Sequence, residues 1–197
     1  MHRIYYALIE TAAASVFLLP LFLLYGKYLR RSWKHTLLYL ICGCYLAAVF
    51  ALVGFPNVTD FHFDCSINPI PFVGMADDFV NACLNVLLFV PLGIFLPMLW
   101  EKYRTLKPTL CAAFCLTVFI EVSQLFTHRL TDINDILTNV FGAWLGYTAA
   151  KGLTGNFTQF VPSPAEEKDL YCILGAVVLI LFFLQPFVSS LLWEMIL

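Results

Sequence analysis

The sequence predicts an all-α protein: a polytopic membrane helix bundle of about six transmembrane helices, with both termini extracytoplasmic. Three observations carry this reading. The 197 residues are 61% hydrophobic and 12% charged. An ordinary soluble domain is about half apolar and about a quarter charged, and a soluble fold of this length could not keep so much apolar surface from water. The apolar residues also fall in runs that can cross a hydrocarbon core of about 30 Å, which takes about 20 helical residues. Finally, the basic residues collect on one side of those runs.

The first run, Tyr5–Tyr25, is too long for the core of a signal peptide. Basic residues follow it rather than a cleavage site, so it reads as a retained helix. Thr36–Phe55, Phe79–Trp100 and Pro108–Phe126 are apolar runs of spanning length. Ile136–Ala150 is short, and reaches full length only if its helix begins near Asp132. That is a favourable place for a carboxylate, because helix N-termini carry partial positive charge. In Leu170–Trp193 the pair Gln185-Pro186 predicts a kink or an early stop. Trp33, Trp100 and Trp193 read as interfacial anchors. Cys42, Cys44, Cys83, Cys111, Cys115 and Cys172 lie in apolar stretches and read as small packing residues. Cys65 is alone in a loop, so no disulfide framework is readable.

Lys27, Arg30, Arg31, Lys34, Lys102, Arg104, Lys107, Lys151 and Lys168 fall on one side of these spans, and only Arg3 and Arg129 on the other. The side rich in Lys and Arg marks the cytoplasm. The loop Pro56–Asp78 is then external. It contains Asp60, Asp64, Asp77 and Asp78 without Lys or Arg, and is apolar enough to lie on the membrane or fold back over the bundle. The stretch Thr154–Lys168, with Pro162 and Pro164, reads as an inner linker. Asn57-Val58-Thr59 and Asn156-Phe157-Thr158 match a glycosylation pattern that is common by chance. A net charge of −2 points to no nucleic-acid partner.

Ionisable groups inside a membrane are costly and mark functional sites by default. Glu10 and Glu121 qualify. Glu121 and Gln124 are three residues apart, and Gln124 and His128 four apart, so they share one helix face. Asp132, Asp135 and Asn139 share another, continued by Gly142 and Gly146, whose small size lets a neighbouring helix approach closely. Asp78, Asn81 and Asn85 form a third. In the assigned orientation Glu10, Asn81, Asn85, Glu121, Gln124 and Asn139 all lie in the outer half of their helices. Arg129, Asp132 and Asp135 lie at the outer edge. Four segments thus send polar groups to one layer, a candidate cavity open to the outside. The bland alternative is that the amides and ion pairs only hold the bundle together.

At these residues the chain resembles the VanZ family of bacterial membrane proteins. One block is Asp78-Phe-Val-Asn81-Ala-Cys-Leu-Asn85, continuing to Phe89, Pro91, Leu92 and Gly93, and preceded by Asn68-Pro-Ile-Pro71-Phe72. The other is Ile120-Glu121-Val-Ser-Gln124, then Arg129, Asp132, Asp135, Asn139 and Gly142-Ala-Trp-Leu-Gly146. The likeness makes residues 68–146 the core of a single membrane domain over 1–197. It implies a multi-pass protein of the bacterial cell membrane with a cell-envelope role, linked through the family's namesake to low-level teicoplanin resistance. It supplies no reaction.

The residues suit a binder of a polar group at the outer leaflet, such as a lipid-linked cell-wall precursor or a lipoglycopeptide, among membrane lipids. Arg129 would pair with phosphate or carboxylate. Glu121, Asp132 and Asp135 would take amines or a cation, and Asn85, Gln124 and Asn139 would fix orientation. An intramembrane enzyme is the second reading. In it Asp132, Asp135 and Asn139 hold a divalent cation through hard oxygen ligands, and Glu121 is general base. No nucleophile–base pair, metal signature or cofactor motif supports it. A small lipid transporter or flippase gated by Glu121 is the third, against which the charges cluster on one side only.

Overall fold

The computed structural model describes residues 2–28, 33–73, 78–127, 129–154 and 165–196. Arg30, Arg31, Asp77, His128, Asn156-Phe157-Thr158, Pro162 and Pro164 lie outside them. The elements are α1 (His2–Tyr28), α2 (Trp33–Val53), β1 (Ile67–Asn68), α3 (Phe79–Leu99), α4 (Leu106–Gln124), β2 (Thr131–Asp132), α5 (Ile133–Thr154), α6 (Glu167–Leu179) and α7 (Gln185–Ile196). A π-helical turn, Ile180–Leu184, makes α6 and α7 continuous. The protein is an all-α membrane bundle. Among the described residues five helical stretches are long and apolar enough to cross a membrane: Tyr5–Tyr28, Trp33–Val53, Phe79–Leu99, Leu106–Gln124 and Glu167–Met195. The sixth, α5, has 22 residues, about 33 Å at 1.5 Å per residue, and carries the polar face the sequence gives it. It begins at Ile133, directly after Asp132.

Two compact units divide the chain, Met1–Phe63 with Glu167–Leu197, and Asp64–Glu166. In the first unit α1 packs on α2 and α7, and α2 on α6. One buried carboxylate ties three of these helices. Asp169 is fully buried, and accepts 2.6 Å and 2.7 Å hydrogen bonds from the Tyr25 and Tyr39 hydroxyls. The last span therefore starts at Glu167, earlier than its apolar run at Leu170, because the tyrosines offset the desolvation of the acid.

Pro186 neither stops the span nor leaves a broken ladder. Proline cannot donate to the carbonyl four residues back, and its ring crowds that carbonyl. The π turn takes up the misfit, with the Gln185 amide donating to the Ile180 carbonyl. The Phe182 carbonyl, four before Pro186, accepts the Val58 amide at 2.9 Å. That loop is positioned by the end of α2. There Gly54 takes φ 74°, the Phe55 amide reaches back to the Phe50 carbonyl and the Gly54 amide to Ala51, a Schellman cap. Asn57 Oδ1 then accepts the Thr59 and Asp60 amides and the Thr59 hydroxyl, so this side chain builds a turn.

In the second unit α3 and α5 pack most closely, with α4 against α5. Glycines set the approach: a Cβ on Gly142 would strike the Val86 carbonyl, on Gly146 the Val90 carbonyl, and on Gly93 the Ala143 carbonyl. Such contacts between small-residue faces are how helices associate where lipid is as apolar as they are. A single 3₁₀ turn, Glu101–Arg104, joins α3 to α4 and makes them antiparallel neighbours. Trp100 is not an interfacial anchor. It is fully buried, its Nε1 donates to the Glu166 carbonyl at 3.0 Å, and the Ala165 amide bonds the Leu99 carbonyl beside it. Trp33 is exposed, as an anchor would be, and Trp193 is partly buried against the rings of Tyr5 and Tyr6. Cys42 packs in the interior, whereas Cys83, Cys111, Cys115 and Cys172 lie on exposed faces rather than in packing positions.

Candidate functional site

The start of α3, the end of α4 and the start of α5 meet at one end of the second unit, opposite Lys102, Arg104, Lys107 and Lys151. α4 stops at Gln124. The Phe126 and Thr127 amides turn back on the Ser123 and Gln124 carbonyls, and the Ser123 and Thr127 hydroxyls bond the Ile120 and Gln124 carbonyls. Arg129 is thereby in the connection between helices and not on α4. His128 lies outside the described residues.

Asp132 is the knot of this end. Its Oδ1 accepts the Asn134 amide at 2.8 Å, the N-cap geometry that starts α5. Its Oδ2 accepts Asn68 Nδ2 at 3.1 Å. Its own amide donates to Glu121 Oε2 at 3.0 Å, and the Thr131 hydroxyl donates to the Glu121 carbonyl. Glu121 is only 3% exposed. The charges of Asp132, Asp135 and Arg129 all bear on it. One turn along α5, Asp135 Oδ1 accepts Asn85 Nδ2 at 2.7 Å and so bridges to α3. One turn further in, Asn139 Nδ2 donates to the Thr117 hydroxyl at 2.8 Å, one turn before Glu121 on α4. The result is a ladder of polar rungs between antiparallel helices.

The loop before α3 folds over this end. β1 pairs in parallel with β2, Ile67 opposite Thr131 and Asn68 opposite Asp132. The Asp64 amide bonds the Leu125 carbonyl at 2.8 Å. Asn134, missed in the sequence, clamps the loop: Oδ1 accepts the Phe72 amide at 2.6 Å and Nδ2 donates to the Val73 carbonyl at 3.0 Å. Phe72 is held at φ 65°, a conformation that costs a bulky residue on the order of 1–3 kcal/mol.

Asn85, Glu121, Arg129, Asp132 and Asp135 are thus brought together at this end, with Asn139 one turn deeper. Gln124 is buried at the foot of α4. Asn81 is held by Asp78 through two 2.6 Å bonds at the start of α3. Glu10 belongs to the other unit, where it accepts the Ser189 hydroxyl at 2.6 Å. Asn68, Thr117, Thr131 and Asn134 complete the network. For Asn68 the clue was its place beside Pro69 and Pro71, which keep its backbone extended and ready to pair as a strand. Among the described residues no group of three or more His, Cys, Asp or Glu is placed to hold a metal ion. Asn139 Oδ1 is among the buried atoms that have no hydrogen-bond partner among the described residues.

A curated protein of Enterococcus faecium, Protein VanZ, is 30% identical over 122 residues, covering 61% of this chain and 73% of the relative. No solved structure matches. The VanZ/LLP1 family model matches residues 36–160, from α2 through the whole polar end of the second unit. With well over half its length matched, the chain belongs to the VanZ/LLP1 family.

Proposed function

We propose that this protein is an envelope protein of the bacterial cell membrane that binds a polar, anionic or peptidic group at the outer leaflet. The group is carried by a lipid-linked cell-wall precursor or a lipoglycopeptide, and binding it underlies tolerance to teicoplanin-type glycopeptides. The supporting observation is the concentration of buried polar groups at one end of the second unit, with Asn139 Oδ1 unpaired. A buried unsatisfied polar atom costs about 1–3 kcal/mol, more than a neutral membrane hydrogen bond of about 0.6 kcal/mol returns. A purely structural ladder has no use for that expense, and a ligand donor would relieve it. In this reading Asp132, fully engaged at both oxygens, is the frame, together with Asn85 on Asp135. Arg129 meets the ligand's phosphate or carboxylate and Glu121 its amine, while Gln124 and Asn139 orient it.

The test compares single and double charge removal. Glu121→Gln and Arg129→Gln, expressed in a susceptible bacterium, should each abolish glycopeptide tolerance while membrane insertion stays near normal. A structural ion pair predicts that removing both charges together is tolerated and restores function. A binding site predicts a double variant that folds and stays inactive. Recovery of tolerance in the double variant overturns the proposal.

A further inference from the structure

Glu10 is not used by the site above, and it opens onto a second one in the other unit. A cavity of 160 Å³ lies where α2 ends, with Glu10, Asn57 and Gln185 as polar lining and Phe50, Phe55 and Leu181 among the apolar walls. That volume is several times what one water needs, and matches cavities that accept small organic molecules. Gln185 is 3% exposed, and its Nε2 is buried without a hydrogen-bond partner among the described residues. A buried amide donor beside a cavity calls for an acceptor inside it.

The electrostatics of the lining have one sign. Among the described lining residues Glu10 is the single ionisable group, and the Ser189 hydroxyl that donates to it is neutral. The C-terminal end of α2 adds the negative pole of a helix. The rings of Phe50 and Phe55, 4.9 Å apart, offer faces that attract cations. Among the described residues the lining holds no Lys, Arg or His. A bare metal ion would satisfy Glu10 but confront the Gln185 N–H donor. A primary ammonium with an oxygen a few bonds away satisfies both: its N–H groups donate to Glu10 and its oxygen accepts from Gln185.

We propose that this cavity binds a primary ammonium group bearing a neighbouring oxygen, the chemistry of an ethanolamine lipid headgroup and of free amino alcohols. The test uses the full chain in detergent. Native mass spectrometry is run with phosphatidylethanolamine and phosphatidylglycerol at equal concentration, and thermal unfolding is followed with ethanolamine hydrochloride against sodium chloride. The wild type should retain phosphatidylethanolamine preferentially. Glu10→Gln and Gln185→Leu should reduce that preference by about tenfold, the loss of one charge-assisted contact. Ala51→Leu fills the cavity from its wall without touching either polar group, and should do the same if the other two fail to fold. Stabilisation by ethanolamine, with or without lipid retention, assigns the site to the amine head alone. Retention without it assigns the site to the lipid-borne form, and both outcomes uphold the proposal. The absence of both lipid preference and ethanolamine stabilisation, an effect that survives Ala51→Leu, or stabilisation by sodium equal to that by ethanolamine overturns it.

Discussion

At the scale of single residues, Asn139 separates a strut from a site. Its amide is buried with one end on Thr117 and the other unpaired. Turning the amide over would only exchange which end is paired. Asn139→Leu removes the unsatisfied atom and fills the same space with apolar volume. The Thr117 hydroxyl, left alone, can bond its own helix at the carbonyl four residues back. Stability to thermal unfolding in detergent should therefore stay within about 0.5 kcal/mol of wild type or rise, since the removed hydrogen bond is worth only about 0.6 kcal/mol in such helices. Glycopeptide tolerance should nevertheless be lost. A variant that unfolds several degrees early yet keeps its tolerance would make Asn139 a structural residue. Asp132 behaves in the opposite way. It caps α5 and holds Asn68 at once, so its removal is expected to cost stability before it costs binding.

Among the elements, the last span shows how a helix breaker is absorbed. Pro186→Ala gives position 186 an amide that can reach the Phe182 carbonyl, the acceptor now held by Val58. The π turn then has no cause, and the Val58 amide loses its partner. Hydrogen exchange at Val58 should accelerate by about tenfold, the equivalent of one hydrogen bond of about 1.4 kcal/mol, while the helix itself gains protection. Unchanged exchange at Val58 would mean that proline is not what frees Phe182. The sequence reading expected only a kink or a stop here, because the compensating donor comes from a loop far away in the chain. Long-range partners explain the other misses too. The apolar runs, the start of the short span at Asp132 and the close approach at Gly142 and Gly146 were legible because they depend on composition and helical spacing. The clamp of Asn134 on Phe72 and Val73, the burial of Trp100 against Glu166, and the capture of Asp169 by Tyr25 and Tyr39 depend on which elements meet. In a single sequence a buried asparagine and a surface one look alike. The site residues were found because polar groups stand out in apolar runs, and Arg129, expected at the outer edge beyond the run that ends at Phe126, does lie in the connection after α4.

For the whole molecule, sidedness decides what the polar groups of each unit can meet. Within the first unit, Lys27, Lys34 and Lys168 sit at the end of α1, the start of α2 and the start of α6. Within the second, Lys102, Arg104, Lys107 and Lys151 sit at the α3–α4 connection and the last turn of α5, opposite the polar ladder. Lys and Arg near span ends are retained on the cytoplasmic side, so the expectation for each unit, taken by itself, is a basic end inside. On that expectation the ladder of the second unit faces the outer leaflet, the side that the proposed ligand requires. Cys65 is exposed, on the loop folded over that ladder. A membrane-impermeant maleimide added to intact cells should modify it, and Cys65→Ser should remove most of the label, since the other exposed cysteines lie within apolar helices. Lys102→Cys in the Cys65→Ser background should react only after the membrane is permeabilised. Labelling of position 102 in intact cells, with Cys65 protected, would invert the protein. The ladder would then open to the cytoplasm, and an extracellular glycopeptide could not be its ligand, whatever the geometry of Glu121 and Asn139.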